Sequence, residues 1–589
     1  MRPRAGPEAV ASAALTARKP STRRRAPALE DKPSTGHHEG ESTGGRKVAV
    51  DVFDYVIVGA GAAGSVLANR LTEDPTVTVC VLEAGPPDRN PYIHIPAGFI
   101  KTLFDPGVTW QFKTEPGPNT GGRAIATTQG RTLGGGSSIN GLIYNRGQPG
   151  DFNNWAQRGN RGWGYDDVLP YFRRSEGRIG LGGEARGREG NIPVTDMDWF
   201  NPVSEAFIKG VMGLGIPRNP DYNSGHQEGV GYYQRVIRNG RRISAARGYL
   251  HPAMKRPNLE VRTDARAEAV LLEGKRAVGV RYIRKRGGEG SVVRARREVI
   301  LSSGTANTAR LLQVSGIGPA PLLTRIGVPV LHDLPGVGEN FRDHYASRFV
   351  MRARPGVETL NELSKGLKLG GQILRWAARR PSILATCVSH VHVFWKSFEG
   401  LDQPDLQCVF TPGSYAEGKV YVLDDYPGVT AGAWQHRPES SGWVRARSAD
   451  VFEDPEIQPN YLTHPDDVRV HLAGMRLLRR FLNTPELAPF LETETLPGKD
   501  VQTDDELLDF ARRNGSTTYH LVGTSRMGPR TDPTAVVSDK LLVHGLEGLR
   551  VADASIMPHI TSSNTYATTL MIAEKAADLI RGRSLAAAA

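Results

Sequence analysis

Gly59-Ala-Gly61-Ala-Ala-Gly64 is a GxGxxG string, and Glu83 follows Gly64 by 19 residues. In a chain with 67 glycines such a string arises about once by chance, so its context decides its meaning. Here it closes the apolar run Val52-Phe-Asp-Tyr-Val-Ile-Val58 and opens a segment of small residues, and Glu83 ends the next apolar run. Gly59 would make the tight turn, Gly61 would admit a pyrophosphate against bare backbone, and Gly64 would let a helix pack on the strand. The helix N-terminus would receive the phosphate charge. Glu83 would accept hydrogen bonds from a ribose hydroxyl pair, and its charge would repel a 2′-phosphate, disfavouring NADP. The chemistry indicated is dinucleotide binding. A second segment, Gly130-Arg131-Thr-Leu-Gly134-Gly135-Gly136-Ser137-Ser138-Ile139-Asn140, is too glycine-rich for a strand and too patterned for a linker. Its consecutive amides and two hydroxyls make a loop that cradles an anion or a ring. The three cysteines, Cys80, Cys387 and Cys408, form no CxxC pair, which excludes a disulfide scaffold and a zinc ribbon, and no metal is expected.

These residues need elements to hold them. The run 52–58 and a second β-branched run over 75–83 read as buried strands, with a helix over 62–72 between them. Strand, helix and strand within about 30 residues form a βαβ unit and imply a parallel sheet. Further strands are expected at 258–263, 267–273, 276–283, 297–302 and 549–553, and helices at 305–314, 466–482, 504–513 and 566–581. Val388-Ser-His-Val-His-Val-Phe-Trp395 alternates as a strand, with His390 and His392 on one face, either lining a pocket or belonging to a hydrogen-bonded sheet face.

The chain has 589 residues, 39% of them hydrophobic and 23% charged, an ordinary balance for a globular protein with a large core. No window reaches the ~18 apolar residues of a membrane-spanning helix. The net charge of +12 divides into +5 on residues 1–50 and +7 on the rest. The body shows no stripe of aromatics interleaved with arginines, so a nucleic-acid partner is not expected. Residues 1–50 lack large aromatics and read as a disordered tail, resembling a transit peptide or an extended N-terminus without a role. A cytoplasmic location is expected, or an organelle if the tail is an address.

Read on through Gly141-Leu-Ile-Tyr144-Asn-Arg146-Gly147 and Asp151-Phe-Asn-Asn-Trp155, the glycine-rich loop resembles the first signature of the glucose–methanol–choline (GMC) oxidoreductases. Gly304-Thr305-Ala-Asn-Thr308-Ala309-Arg-Leu311-Leu312-Gln-Val-Ser315-Gly316-Ile317-Gly318 resembles the second, with Ala309 where Pro or Ser is usual. Leu334-Pro-Gly-Val-Gly-Glu-Asn340, Asn460-Tyr-Leu462, Val551-Ala-Asp553-Ala554-Ser555 and Met571-Ile-Ala-Glu-Lys-Ala-Ala577 extend the likeness from about Asp54 to Gly582. It is nearest to choline dehydrogenase-like members. The resemblance implies FAD, held by Gly59, Gly61, Gly64, Glu83, Arg131, Gly135, Ser137, Asn140, Gly141, Asp553, Ala554, Asn564 and Thr565. It implies non-covalent attachment, because Ile139 stands where flavin-tethering relatives carry histidine.

Tyr519-His520-Leu-Val-Gly523-Thr524-Ser-Arg526-Met527-Gly528 looks like the family's catalytic-histidine segment, and Asn564 falls at its second catalytic position. His520 would take the hydroxyl proton of a primary alcohol while hydride leaves for flavin N5. Asn564 would donate a hydrogen bond to the alcohol oxygen, or serve as N-cap of the helix that follows. His559 reads as structural. The electron acceptor would be O2 or a quinone-type molecule. Fatty-acid photodecarboxylase, hydroxynitrile lyase and a catalytically silent flavoprotein are the alternatives on the same fold. The fold implied is α/β: a Rossmann-like FAD domain with a parallel sheet, over 51–200, 246–345 and 500–585. A substrate domain on an antiparallel sheet with helices would take 201–245 and 346–499.

Overall fold

The strand Asp51–Val58 is the centre of the first of two seven-stranded sheets in the computed structural model, which describes residues 51–416 and 422–583. The expectations for residues 1–50 lie outside the described residues. Val56, Ile57 and the strand Val79–Leu82 have almost no exposed surface, as strands covered on both faces require. The sheet runs Leu259–Arg262, Val79–Leu82, Asp51–Val58, Ser291–Leu301, Arg276–Ile283, Arg266–Glu273. The first four are parallel and the last two join antiparallel. Leu549–Val551 adds a parallel partner to the C-terminal half of Ser291–Leu301.

Two strands differ from their expected bounds. The expected strand over 297–302 begins earlier, at Ser291, because residues 291–294 pair antiparallel with Arg276–Ile283 and residues 293–295 pair parallel with the start of Asp51–Val58. The strand expected over 75–83 begins only at Val79, because Asp74 Oδ1 accepts from the Thr76 amide and hydroxyl and holds a turn there. The helices come out at Ala62–Leu71, Thr305–Val314, Pro465–Leu482, Asp504–Asn514 and Thr565–Arg581.

The helices Ala62–Leu71 and Thr565–Arg581 pack together over the first sheet. Glu574, fully buried between them, accepts from Arg70 at 2.9 Å, Arg174 at 2.7 Å and the Tyr249 hydroxyl at 2.8 Å. A carboxylate can be buried there because its lone pairs are all engaged by donors.

The second sheet is wholly antiparallel: Leu491–Leu496, Tyr345–Ala353, Gly428–Gln435, Leu406–Thr411, Val391–Trp395, Gly229–Tyr232. Its core is separate and is closed by the helices Pro202–Gly213 and Pro465–Leu482. Ser516–Thr517 pairs with the first residues of Tyr345–Ala353, and Arg342 bridges to Val522. That local pairing sets residues 343–344 directly against residues 518–520.

Candidate active site

A cavity of about 320 Å³ lies along the ends of the first sheet's parallel strands and reaches Val388 and residues 518–521, which follow the short strand Ser516–Thr517. Gly59, Gly61, Glu83, Gly135, Ser137, Asn140, Gly141, Asp553, Ala554, Asn564 and Thr565 all line it. Gly64 does not. Its α-carbon packs so close to the turn that a Cβ would stand 1.9 Å from the Gly59 carbonyl oxygen. Gly59 itself has φ +100, and its Cβ would meet the Ser302 carbonyl at 2.5 Å. A Cβ on Gly61 would find no protein atom nearer than 3.9 Å, so this glycine leaves bare backbone facing the cavity. Gly135 closes the other side at φ +51, its Cβ position 2.8 Å from the Gly61 α-carbon.

Glu83 anchors the turn. One of its oxygens accepts from the Ala60 amide at 2.9 Å and the other from the Gly85 amide at 2.8 Å. Burial pushes its carboxyl up to about 7, partly offset by those two amides. Each oxygen keeps a further lone pair for a hydroxyl in the cavity. Asp553 ties in the second glycine-led helix, accepting from the Gly304 amide at 2.8 Å and the Thr308 hydroxyl at 2.7 Å. Asn140 is turned by Arg242, which donates to its Oδ1 at 2.7 Å. Arg131 stands outside the cavity wall, in a recess beside Ala84, Asp264 and Arg266, and donates to the Pro106 carbonyl at 2.8 Å. Two cations that the sequence reading missed line the cavity instead. Arg266 and Arg310 stack on Trp110 at 4.5 and 5.5 Å, each lowered to about 10 by burial. Bare backbone, a strand-end carboxylate and a cationic, aromatic wall together fit a dinucleotide.

At the other end stand His520 and Asn564, with Asn564 Nδ2 3.0 Å from His520 Nε2. His520 is buried, and desolvation followed by the neighbouring His344 holds it well below its ordinary value of 6.5. It is neutral at pH 7, so its tautomer matters, and the surroundings assign it. His344 Nε2 lies 2.7 Å from the His436 carbonyl, which can only accept, so Nε2 carries the proton. Burial lowers His344 to about 4, so its Nδ1 is bare. That bare Nδ1 is 2.9 Å from His520 Nδ1. The Thr518 hydroxyl donates to the His344 carbonyl and is 2.8 Å from the same nitrogen. Two acceptors therefore converge on His520 Nδ1–H, leaving Nε2 unprotonated on the cavity wall, where its lone pair accepts from the Asn564 amide.

Asp343 holds this arrangement from behind. Its carboxylate accepts from the His520 amide at 2.8 Å, the His344 amide at 2.9 Å, the Tyr461 hydroxyl at 2.6 Å and the Thr517 hydroxyl. Tyr519, on the cavity wall, takes φ +64, a strained value for a non-glycine residue beside the reactive group. Asn564 occupies the N-cap position of Thr565–Arg581, yet its side chain makes no capping hydrogen bond. Its Oδ1 accepts from Gln407 at 3.3 Å, and Gln407 also donates to the Tyr233 hydroxyl at 2.7 Å. That fixes the amide with NH2 toward His520. At this end of the cavity His344, Asp343 and Gln407 are the residues that sequence reasoning missed.

His559 is structural: Arg342 donates to its Nε2 at 3.0 Å, and its Nδ1 faces the Ile560 carbonyl. His390 and His392 do not line the cavity. His390 packs edge-on to Trp199 with both ring nitrogens unpartnered, and His392 packs on Tyr222, so the face is aromatic rather than hydrogen-bonded.

Burial lowers seven histidines among the described residues, His94 and six that lie deeper. His344 and His471 fall to about 4 and His390 and His392 to about 3, while His436 and His520 lie well below 6.5. Unfolding exposes them to protons below 6.5, so the unfolded chain binds more protons and stability is lost as the pH falls. Each contributes at most ~1.4 kcal/mol per pH unit. The Tm is expected to be level above pH 7 and to fall steeply between about pH 6.5 and 5. A level Tm through that window would contradict the burial. His344→Ala, which leaves the tautomer of His520 unassigned, is expected to slow the reaction about 10- to 100-fold at pH 7 with little change in KM. A change confined to KM would contradict a positioning role.

The model of the N-terminal part of the GMC oxidoreductases matches residues 53–346, and that of the C-terminal part residues 438–573. An alcohol dehydrogenase (acceptor) from Pseudomonas putida is 39% identical over 533 residues, 90% of this chain and 96% of that protein. The mitochondrial choline dehydrogenase of Homo sapiens is 39% identical over 541 residues, 90% of each chain. Among solved structures, pyridoxine 4-oxidase from Mesorbium loti superposes with a TM-score of 0.80 at 32% identity, covering 89% of this chain and 98% of that one. Formate oxidase of Aspergillus oryzae RIB40 superposes with a TM-score of 0.83 at 26% identity, covering 90% and 98%. With both family models matched and relatives at this identity aligned along nearly their whole length, the chain belongs to the GMC oxidoreductase family.

Proposed function

We propose that this protein, an FAD oxidoreductase acting on CH–OH donors, oxidises a primary alcohol to the aldehyde with His520 as base and Asn564 as donor to the alcohol oxygen. The observation that carries the reading is the bare Nε2 of His520, set 3.0 Å from the Asn564 amide on the wall of the cavity. An alcohol hydroxyl is far too weakly acidic to ionise unaided at pH 7, so a neutral base must meet it as hydride leaves. His520 Nε2 accepts that proton, and the resulting imidazolium faces the alkoxide oxygen as a localised positive charge. An arriving hydroxyl displaces the Asn564 amide from Nε2, and that amide then donates to the alcohol oxygen instead, holding the carbinol C–H in one direction. FAD, when bound, supplies the hydride acceptor.

Thiol chemistry fits poorly. Burial pushes Cys387 up to about 12, its thiol donates to the Ser389 carbonyl, and Val388 is the residue of that stretch on the cavity wall. Ile139, on the same wall, offers no atom for a bond to flavin. Acid denaturation is therefore expected to release the flavin into the supernatant, and flavin retained by the precipitate would contradict non-covalent binding.

The purified holoenzyme, given a panel of primary alcohols and a dye acceptor without oxygen, is expected to release the matching aldehyde. Failure with every alcohol would remove the reading. Repeating the assay with air alone separates O2 from a quinone-type acceptor.

A further inference from the structure

The helix Gly366–Ala377 has no fully buried residue, whereas every other described helix of eight or more residues has several. Leu367 is 96% exposed, Leu374 72% and Ile373 46%. At ~100° per residue these three share one face with Gly370 and Ala377. The other face anchors the helix. Trp376 donates to the Gly240 carbonyl at 2.7 Å under the Arg241 guanidinium, and Gln372 Oε1 accepts from the Ile383 amide at 3.1 Å. The leucine face is therefore held outward by contacts made elsewhere on the helix.

Cations flank it along one side and at its ends. Lys365, Lys368, Arg375, Arg379 and Arg380 are all exposed, Lys365 donating also to the Asp425 carbonyl and Arg375 to the Pro381 carbonyl, and no Asp or Glu occurs in the sequence between Glu362 and Glu399. An apolar stripe edged by basic side chains matches an anionic lipid surface, with leucines at the acyl boundary and long basic stems reaching the headgroup phosphates. A second copy of the chain fits badly, because a two-fold contact would press the same five cations together. No helix among the described residues is long and apolar enough to cross a membrane, so the contact lies on the surface. The location is also suggestive of use. The helix packs on the turn Ile383–Ala385, which packs on Pro96–Gly98, and Phe99 just beyond lines the cavity.

We propose that the helix Gly366–Ala377 docks the enzyme on an anionic membrane surface beside the wall of its cavity, an inference independent of which alcohol is oxidised. The full-length holoenzyme is to be floated with phosphatidylcholine vesicles, with and without phosphatidylglycerol. Binding is expected to need the anionic lipid and to weaken with salt. It is expected to fall about tenfold or more in Leu367→Glu/Leu374→Glu and in Lys368→Gln/Arg375→Gln/Arg379→Gln. Flavin absorbance, Tm and turnover of a soluble alcohol should stay at wild-type values in both variants; the first two verify folding whatever the substrate is. Equal vesicle binding by wild type and variants would overturn the proposal, as would no binding by wild type. A wild-type dimer that Leu367→Glu dissociates would also overturn it, assigning the face to a subunit contact.

Discussion

His520→Ala is expected to slow reduction of the bound flavin by alcohol about 10²- to 10⁴-fold, with flavin content unchanged. The size follows from what is removed: the one histidine among the described residues that lines the cavity, its unprotonated nitrogen beside Asn564 and its ring buried from bulk water. Flavin content should hold because His520 contributes no contact to the glycine turn or to Glu83, which lie at the far end of the cavity. The same reasoning gives a pH dependence. His520 lies well below 6.5, so the wild-type reduction rate should stay level as the pH falls through 6.5, where an ordinary histidine base would already be protonated. A rate that halves near 6.5 would contradict the buried, neutral base, and an unchanged rate in His520→Ala would remove it from the mechanism.

Gly135→Val is expected to leave a folded protein with less than about a tenth of the wild-type flavin. Gly135 has φ +51, which a β-branched residue does not adopt without strain, and its Cβ would lie 2.8 Å from the Gly61 α-carbon. Backbone meets backbone there, so no side chain can turn aside. The displaced segment is the loop that closes over Gly61, where a pyrophosphate approaches the main chain. A glycine away from the cavity supplies the control. A Cβ on Gly183 meets nothing within 4 Å, so Gly183→Ala should keep its flavin. Equal flavin in the two variants, measured by absorbance after denaturation, would contradict the cradle.

Much of this site could be read from the chain because it is built from local pattern. Gly59, Gly61 and Gly64 sit in a strand–turn–helix whose apolar runs and small residues declare it, and Glu83 ends the next strand. His520 and Asn564 carry no such local signature and were assigned through resemblance; what the structure adds is their 3.0 Å meeting across 44 residues. The helpers stayed hidden for the same reason. His344 is 176 residues from His520, and the antiparallel pairing of Tyr345 with Thr517, with the Arg342–Val522 bridge, brings them together. Gln407 is an ordinary polar residue of an alternating strand, and its hold on Asn564 depends on how the second sheet abuts the first. Arg131 shows the converse: it sits within a glycine-rich loop, yet its side chain donates to the Pro106 carbonyl and stacks on Trp110 at 5.4 Å from the adjacent recess, not from the cavity wall. His390 and His392 alternate as a pocket strand would, but the aromatic residues that claim that face come from elsewhere in the chain.

The account turns on alcohol oxidation within this cavity, and a single anaerobic turnover tests it most directly. Wild-type holoenzyme is mixed with a primary alcohol in the dark, and the visible band of oxidised flavin is followed while aldehyde is quantified. The account predicts that the band bleaches in one phase, with one aldehyde formed per flavin, and that His520→Ala bleaches at least ~10²-fold more slowly. A flavin that stays oxidised with every alcohol, or bleaches without forming aldehyde, would contradict it.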